Sequence, residues 1–210
     1  KKVAIALVKI DPNEFGNLDF NARNDEDIAA ASIEGCKSSQ QAKIMMRNLS
    51  YAMKDSKKVA IALVKIDPTE FEKLNFNAKN DEDIAAASIE GCKSSQQAKT
   101  MMRSLSYSMK NSRKVAIALV KIDPNEFGKL DFNARNDEDI VAAAIEGCKS
   151  SEQAKIVMRS LSYDMKNSKK VATALVKIDP TQFGQLGYDA KAAIEDFRSS
   201  QPAQKHFNFY

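Results

Sequence analysis

The apolar positions Ala42, Met45, Leu49, Ala52, Ser56, Val59, Leu63 and Ile66 are small or hydrophobic, and they advance in alternating steps of three and four. That rhythm keeps one side of an α-helix turned toward a core. It predicts an amphipathic helix of about 28 residues, about 42 Å long at 1.5 Å per residue. Met46, Met53 and Ala60 widen the stripe. A second, shorter line runs through Ile28, Ala29, Ile33 and Cys36, with Ala30, Ala31 and Ser32 keeping its sides small enough for a partner helix to come close.

The polar residues between these lines read as helix punctuation. In "NDEDI", Asn24 is placed to cap a helix whose first turn holds Asp25, Glu26 and Asp27, where negative charge complements the helix dipole. Gly35 weakens the last turn, so the helix is expected to stop near Lys37. Ser38 with Gln41 forms a capping box, repeated by Ser94 with Gln97 and Ser150 with Gln153. Asp67, Pro68 and Glu70 form a third start signal, and the residue before proline resists helix, so the long helix must end by Ile66.

Two readings compete within this pattern. "KVAIALVKI" alternates enough to be a strand, but alanine is a poor strand former and the heptad line enters the phrase in phase, which favours helix. Ser56 can cap a separate helix, giving a break over Lys54–Ser56. The adjacent Lys57 and Lys58 would then oppose the dipole in a first turn, and that consideration favours continuity.

The phrase "KKVAIALVKIDP" at residue 1 returns in near copy at residues 57, 113 and 169, a period of 56. A period of this size fits two or three helices per unit, each unit lacking enough partners to bury its apolar face alone. The expected architecture is all-α: tandem 56-residue helical repeats, a long amphipathic helix plus shorter helices per unit, stacked into an elongated array or solenoid. Residues 1–20 hold the second half of a unit's long helix and its linker, which predicts a segment of a longer array. Units follow over 21–76, 77–132 and 133–188, and a divergent terminal cap and tail over 189–210.

Because "VAIALV" is apolar on nearly every side, it is expected to be where units meet. The expected packing residues are Val59, Ile61, Leu63, Val64, Phe71, Leu74 and Phe76. Their equivalents are Val115, Ile117, Leu119, Val120, Phe127, Leu130 and Phe132.

Composition narrows the function. Hydrophobic residues make up 43% and charged residues 29% of the chain, as in an ordinary globular protein. The 32 basic and 28 acidic residues are interleaved, without the dense basic stripe and neighbouring aromatics of a nucleic-acid binder, so no nucleic-acid partner is expected. No apolar run approaches the roughly 18 residues of a membrane span.

Candidate chemistry is sparse. His206 is the single histidine and lies in the tail, so the repeated units hold no His-based triad or His-rich metal site. Cys36, Cys92 and Cys148 recur once per unit; each reads as a small core residue, or as a reactive thiol helped by the adjacent lysine. Unpaired thiols favour a reducing compartment, although a secreted structural protein bridged between molecules would look the same. "DFNARNDEDIAA" offers oxygen ligands but lacks the loop glycine of an EF-hand, and Ala30 stands where the bidentate Glu belongs. No Gly-rich phosphate loop, nucleophile elbow or paired carboxylate arrangement is present, and neither an enzyme nor a cofactor is expected.

Three functions remain open. The first is a non-enzymatic structural spacer or interaction scaffold whose partners are other copies of the repeat or another protein. The second is a carrier of fatty acids or other apolar ligands between helices, suggested by the Met, Phe and Ala lining. The third is a secreted polyprotein cut at the dibasic pairs Lys57–Lys58, Arg113–Lys114 and Lys169–Lys170.

Overall fold

A computed structural model describes residues 1–179 together with Gly184, Leu186, Ala190 and Lys191. His206 and, apart from Ala190 and Lys191, the expected cap over 189–210 lie outside the described residues. Regular structure among the described residues is entirely helical. It falls into two compact units, Lys1–Ile122 and Asp123–Tyr210.

In the first unit α1 (Lys2–Ile10) is followed by a 3-10 turn (Pro12–Asn17), then α2 (Phe20–Arg23), α3 (Glu26–Glu34), α4 (Ser39–Asn48), α5 (Tyr51–Lys54) and α6 (Lys57–Ile66). A second 3-10 turn (Pro68–Lys73) leads to α7 (Phe76–Lys79), α8 (Glu82–Glu90), α9 (Ser95–Ser104), α10 (Tyr107–Lys110) and α11 (Arg113–Ile122). The second unit holds a 3-10 turn (Pro124–Lys129), α12 (Phe132–Arg135), α13 (Glu138–Glu146), α14 (Ser151–Arg159), α15 (Tyr163–Asn167) and α16 (Lys169–Ile178). There α13 lies against α16 and α14 against the 3-10 turn.

The "KVAIALVKI" phrase is helical in α1 and α6, as the alanine argument required. The single long helix is not formed. Leu49 and Ser50 take extended backbone (φ −74°, ψ 147° and φ −64°, ψ 162°), and Ser56 does so again (φ −67°, ψ 131°). Neither serine caps its own helix through its hydroxyl; both hydroxyls instead reach side chains of helices earlier in the chain. Ser50 Oγ donates to Asn24 Oδ1 at 2.8 Å and Ser56 Oγ to Glu26 Oε2 at 3.2 Å. The two lysines that should have disfavoured a helix start at Ser56 are held by carboxylates of neighbouring helices, described below. The heptad line therefore crosses three helices, and Ala52 on that line is exposed.

Capping is displaced by one residue from the expected position at α3. Asp25, not Asn24, is the N-cap, its Oδ1 accepting from the backbone of Asp27 at 3.0 Å and of Ile28 at 3.3 Å. Asn24 instead closes α2, donating its side-chain amide to Phe20 O. Ser38 Oγ accepts from Gln41 N as a capping box requires, but the Gln41 side chain reaches the N–H of Lys37 rather than that of the cap. Asp67 caps its 3-10 turn by accepting from Thr69 N. The buried Glu70 does not return to that cap; it binds Lys43 and Lys73.

Two apolar stripes on α6 organise the first unit. Val59, Ala62, Leu63 and Ile66 join a cluster with Val8, Ile28, Ala29 and Ile33 of α1 and α3. Ala60 and Val64, on the other side, join Phe71, Ile84, Ala85 and Ile89, together with Val115, Ala118 and Leu119 of α11. The order of contact is thus α1, α3, α6, α8, α11.

Candidate functional site

The helix ends along this layer carry the densest polar chemistry. Lys57 Nζ lies 2.8 Å from Asp81 and 2.5 Å from Asp83, at the start of α8. Lys58 turns the other way, 2.8 Å from Glu26 and 2.5 Å from Asp27, at the start of α3. Lys114 repeats the Lys58 geometry on Glu82 and Asp83, at the same two distances. At the opposite ends Lys9 meets Glu34 at 2.8 Å and Lys65 meets Glu90 at 3.1 Å. N-termini gather at one edge and C-termini at the other, so these helices run parallel. Parallel dipoles side by side are unfavourable, and the carboxylates of the acidic first turns offset both the gathered N-terminal ends and the lysines of the basic first turns between them.

Each central carboxylate serves two ammonium groups. Asp27 is held down from the ordinary 3.8 to about 2 by the bonds from Lys1 and Lys58, and Asp83 likewise to about 2 by Lys114 and Lys57. A carboxyl depressed on folding adds stability in full above its unfolded value of about 4, and that stability is lost as pH falls through its folded value of about 2. Thermal melts between about pH 5 and about pH 2 should therefore show a stability loss over that window. Asp83→Asn should flatten the loss, and an unchanged slope in that variant would remove Asp83 from the account.

In unit Asp123–Tyr210 the same contacts join α13 and α16. Ser168 Oγ donates to Glu138 at 2.8 Å and Lys170 pairs with Asp139.

The expected packing residues divide. Val59, Leu63, Val64, Phe71, Val115, Leu119, Val120 and Phe127 are buried, while Ile61, Leu74, Ile117 and Leu130 are half-buried. Phe76 and Phe132 are not core residues: they are 80% and 72% exposed. The Asn75 side chain accepts from Ala78 N, and that cap sets the first residue of α7 on the outer side. Ala78 packs inward in its place.

A feature that the sequence pattern does not signal sits at Gly35 and Gly91. A Cβ on Gly91 would stand 2.5 Å from Val64 O and 2.7 Å from Lys65 O. On Gly35 it would stand 2.6 Å from Val8 O and 2.9 Å from Lys9 O. These glycines permit the backbone of the acidic helix to touch the C-terminal end of its neighbour. Linear spacing marks Gly35 only as a helix terminator.

Ile61 also stands on the rim of two open grooves, of about 340 and 360 Å³. One is floored by Ala86 and Ala87 with Ile117 on its far wall, the other by Ala30 and Ala31 with Ile5 opposite. Lysine and carboxylate side chains lie at both ends of each.

The thiols are placed for packing. Cys36 and Cys92 are buried and Cys148 half-buried, each Sγ donating to the carbonyl four residues back, on Ser32, Ser88 and Ala144. Burial raises all three thiols, Cys92 and Cys148 to about 11, so the adjacent lysines do not produce a thiolate. Thiol-specific labelling at about pH 7.5 should be slow in the native chain and fast after denaturation; rapid native labelling would contradict this placement.

The carboxylates of the calcium-like "NDED" segment are engaged with lysines and helix starts, and no group of three or more metal-ligating side chains occurs among the described residues. The dibasic pair Lys57–Lys58 lies in the first turn of α6 with both ammonium groups bonded. No described helix is long and apolar enough to cross a membrane. Comparison with known protein families, with curated proteins and with solved structures finds no match to this chain.

Proposed function

We propose that this protein is a non-enzymatic array of tandem 56-residue helical units, stacked through their acidic-capped helices. In this role it is a structural spacer or scaffold whose partners are other copies of the unit or another protein. The supporting observation is a contrast between two copies of one phrase. On α6, Val59 and Leu63 are 0% and 3% exposed beneath α3. On α1 the matching Val3 and Leu7 are 83% and 39% exposed. Lys58 is shared by Glu26 and Asp27, whereas Lys2 at the matching position has no carboxylate partner among the described residues. The bare face of α1 is thus shaped and charged for another helix of the α3 kind.

Fusing a further copy of residues 21–56 ahead of Lys1 tests the stacking. The longer chain should unfold cooperatively at a higher temperature, as nearest-neighbour interfaces add stability. An unchanged melting temperature would overturn the reading.

Carriage of an apolar ligand is a second reading, supported by the paired alanine-floored grooves. Native mass spectrometry after gentle extraction tests it, and absence of both bound lipid and lipid uptake would reject it.

A further inference from the structure

We propose that the edge of the first unit formed by its four-residue helices binds single-stranded nucleic acid, through exposed aromatics set among unpaired cations. The helices α2, α5, α7 and α10 are linked in sequence by side-chain hydrogen bonds. Ser50 Oγ donates to Asn24, Asn75 Nδ2 to Asp55, and Ser106 Oγ to Asn80. Each of these helices begins with an aromatic residue left in water: Phe20 is 73%, Tyr51 83%, Phe76 80% and Tyr107 85% exposed. Single exposed apolar residues are ordinary; here four large ones recur at the first position of successive hydrogen-bonded helices along one edge.

Cations accompany the tyrosines at fixed positions. Lys54 Nζ donates to the backbone carbonyl of Arg47 at 3.3 Å, and Lys110 Nζ to that of Arg103 at 3.2 Å, so each ammonium group lies against the main chain of an arginine-bearing helix end. Among the described residues none of these four cations pairs with a carboxylate. Asp55, which follows Lys54, accepts from Asn75, and the second set has the neutral Asn111 at that position.

The interleaved charges that argue against a nucleic-acid partner in the linear sequence are sorted by folding. Acidic residues such as Asp27, Asp81, Glu82 and Asp83 are held in lysine pairs at the helix starts. The edge carries Arg47, Lys54, Arg103 and Lys110 beside two carboxylates, Asp19 and Asp55, that accept from a backbone N–H and a side-chain amide. Phosphates are drawn to unpaired cations, and splayed bases stack on aromatic faces without regard to sequence. A simple polyanion would use the cations and ignore the rings, so the alternation selects a partner with both phosphate and base. Arg159, Tyr163 and Lys166 repeat the spacing in the second unit, where Tyr163 is 77% exposed. The inference does not depend on stacking of further units.

Fluorescence anisotropy of the whole chain with labelled oligothymidylate of about 30 nucleotides, at about 50 mM salt, tests it. Binding should saturate, weaken as salt rises, and exceed binding to duplex of the same length. Combined Tyr51→Ala and Tyr107→Ala should weaken it by about tenfold or more, whereas the matching Tyr→Phe changes should retain it. These tyrosines are exposed, so helix content, read by circular dichroism, should stay unaltered in both sets of variants. Absence of binding would overturn the proposal. So would binding that heparin or polyglutamate abolishes equally and that the alanine changes leave intact, since that would mark a surface for polyanions or acidic proteins.

Discussion

Replacing Phe71 by alanine should lower the unfolding free energy by about 3–5 kcal/mol, while the same replacement at Phe76 should change it by less than about 0.5 kcal/mol. The two residues belong to one motif and look alike in sequence. Phe71 is 1% exposed and packs among α6, α8 and the 3-10 turn that carries it. Truncation there removes transfer free energy and leaves a cavity that the surrounding helices, pinned by ion pairs at both ends, can collapse only in part. Phe76 has water on most of its ring. The same division holds for Phe15 against Phe20 and for Phe127 against Phe132. Urea unfolding followed by circular dichroism measures both variants, and equal losses would show that the two phenylalanines share one environment.

Gly91→Ala is expected to destabilise by about 1–3 kcal/mol. Gly91 has ordinary right-handed backbone, φ −71° and ψ −14°. Alanine is therefore conformationally acceptable there and, in open space, would stabilise by about 0.4–1 kcal/mol through the unfolded chain. What opposes it is contact with main-chain carbonyls, which cannot swing aside as a flexible side chain would. Gly16→Ala is the control, because no atom lies within 4 Å of a Cβ placed there. A Gly91→Ala variant as stable as the Gly16→Ala variant would mean that α6 and α8 can separate at no cost.

Much of the fold is legible in the residues. Helical periodicity, the Ser38 cap and the Asp67–Pro68 start all have local causes, and the structure realises each. The break at Ser50 is not local in that sense. It depends on Asn24, far away in the chain, accepting the hydroxyl. The start of α6 fails to be legible for a related reason: Lys57 and Lys58 oppose their own helix dipole, and only the carboxylates of α3 and α8 offset that repulsion. Phe76 shows the limit of reading apolarity as burial, since one cap bond at Asn75 decides which way the ring faces. The aromatic edge is hidden in the sequence because linear order mixes charges that folding separates.

The segment Glu-Asp-Ile-Ala-Ala-Ala-Ser-Ile-Glu is identical in α3 and α8. The flanks that receive it, on α1, α6 and α11, carry the same valine, alanine and lysine positions. Recognition between these helices is therefore degenerate: α1 would accept α8 as readily as α3. What enforces the native pairing is the length of chain between them, not any difference in surface. A refolding chain can consequently close on the wrong copy and must dissociate before it proceeds. Refolding followed by stopped-flow circular dichroism is therefore expected to contain a slow phase, and a single fast phase would show that these helices do not exchange partners.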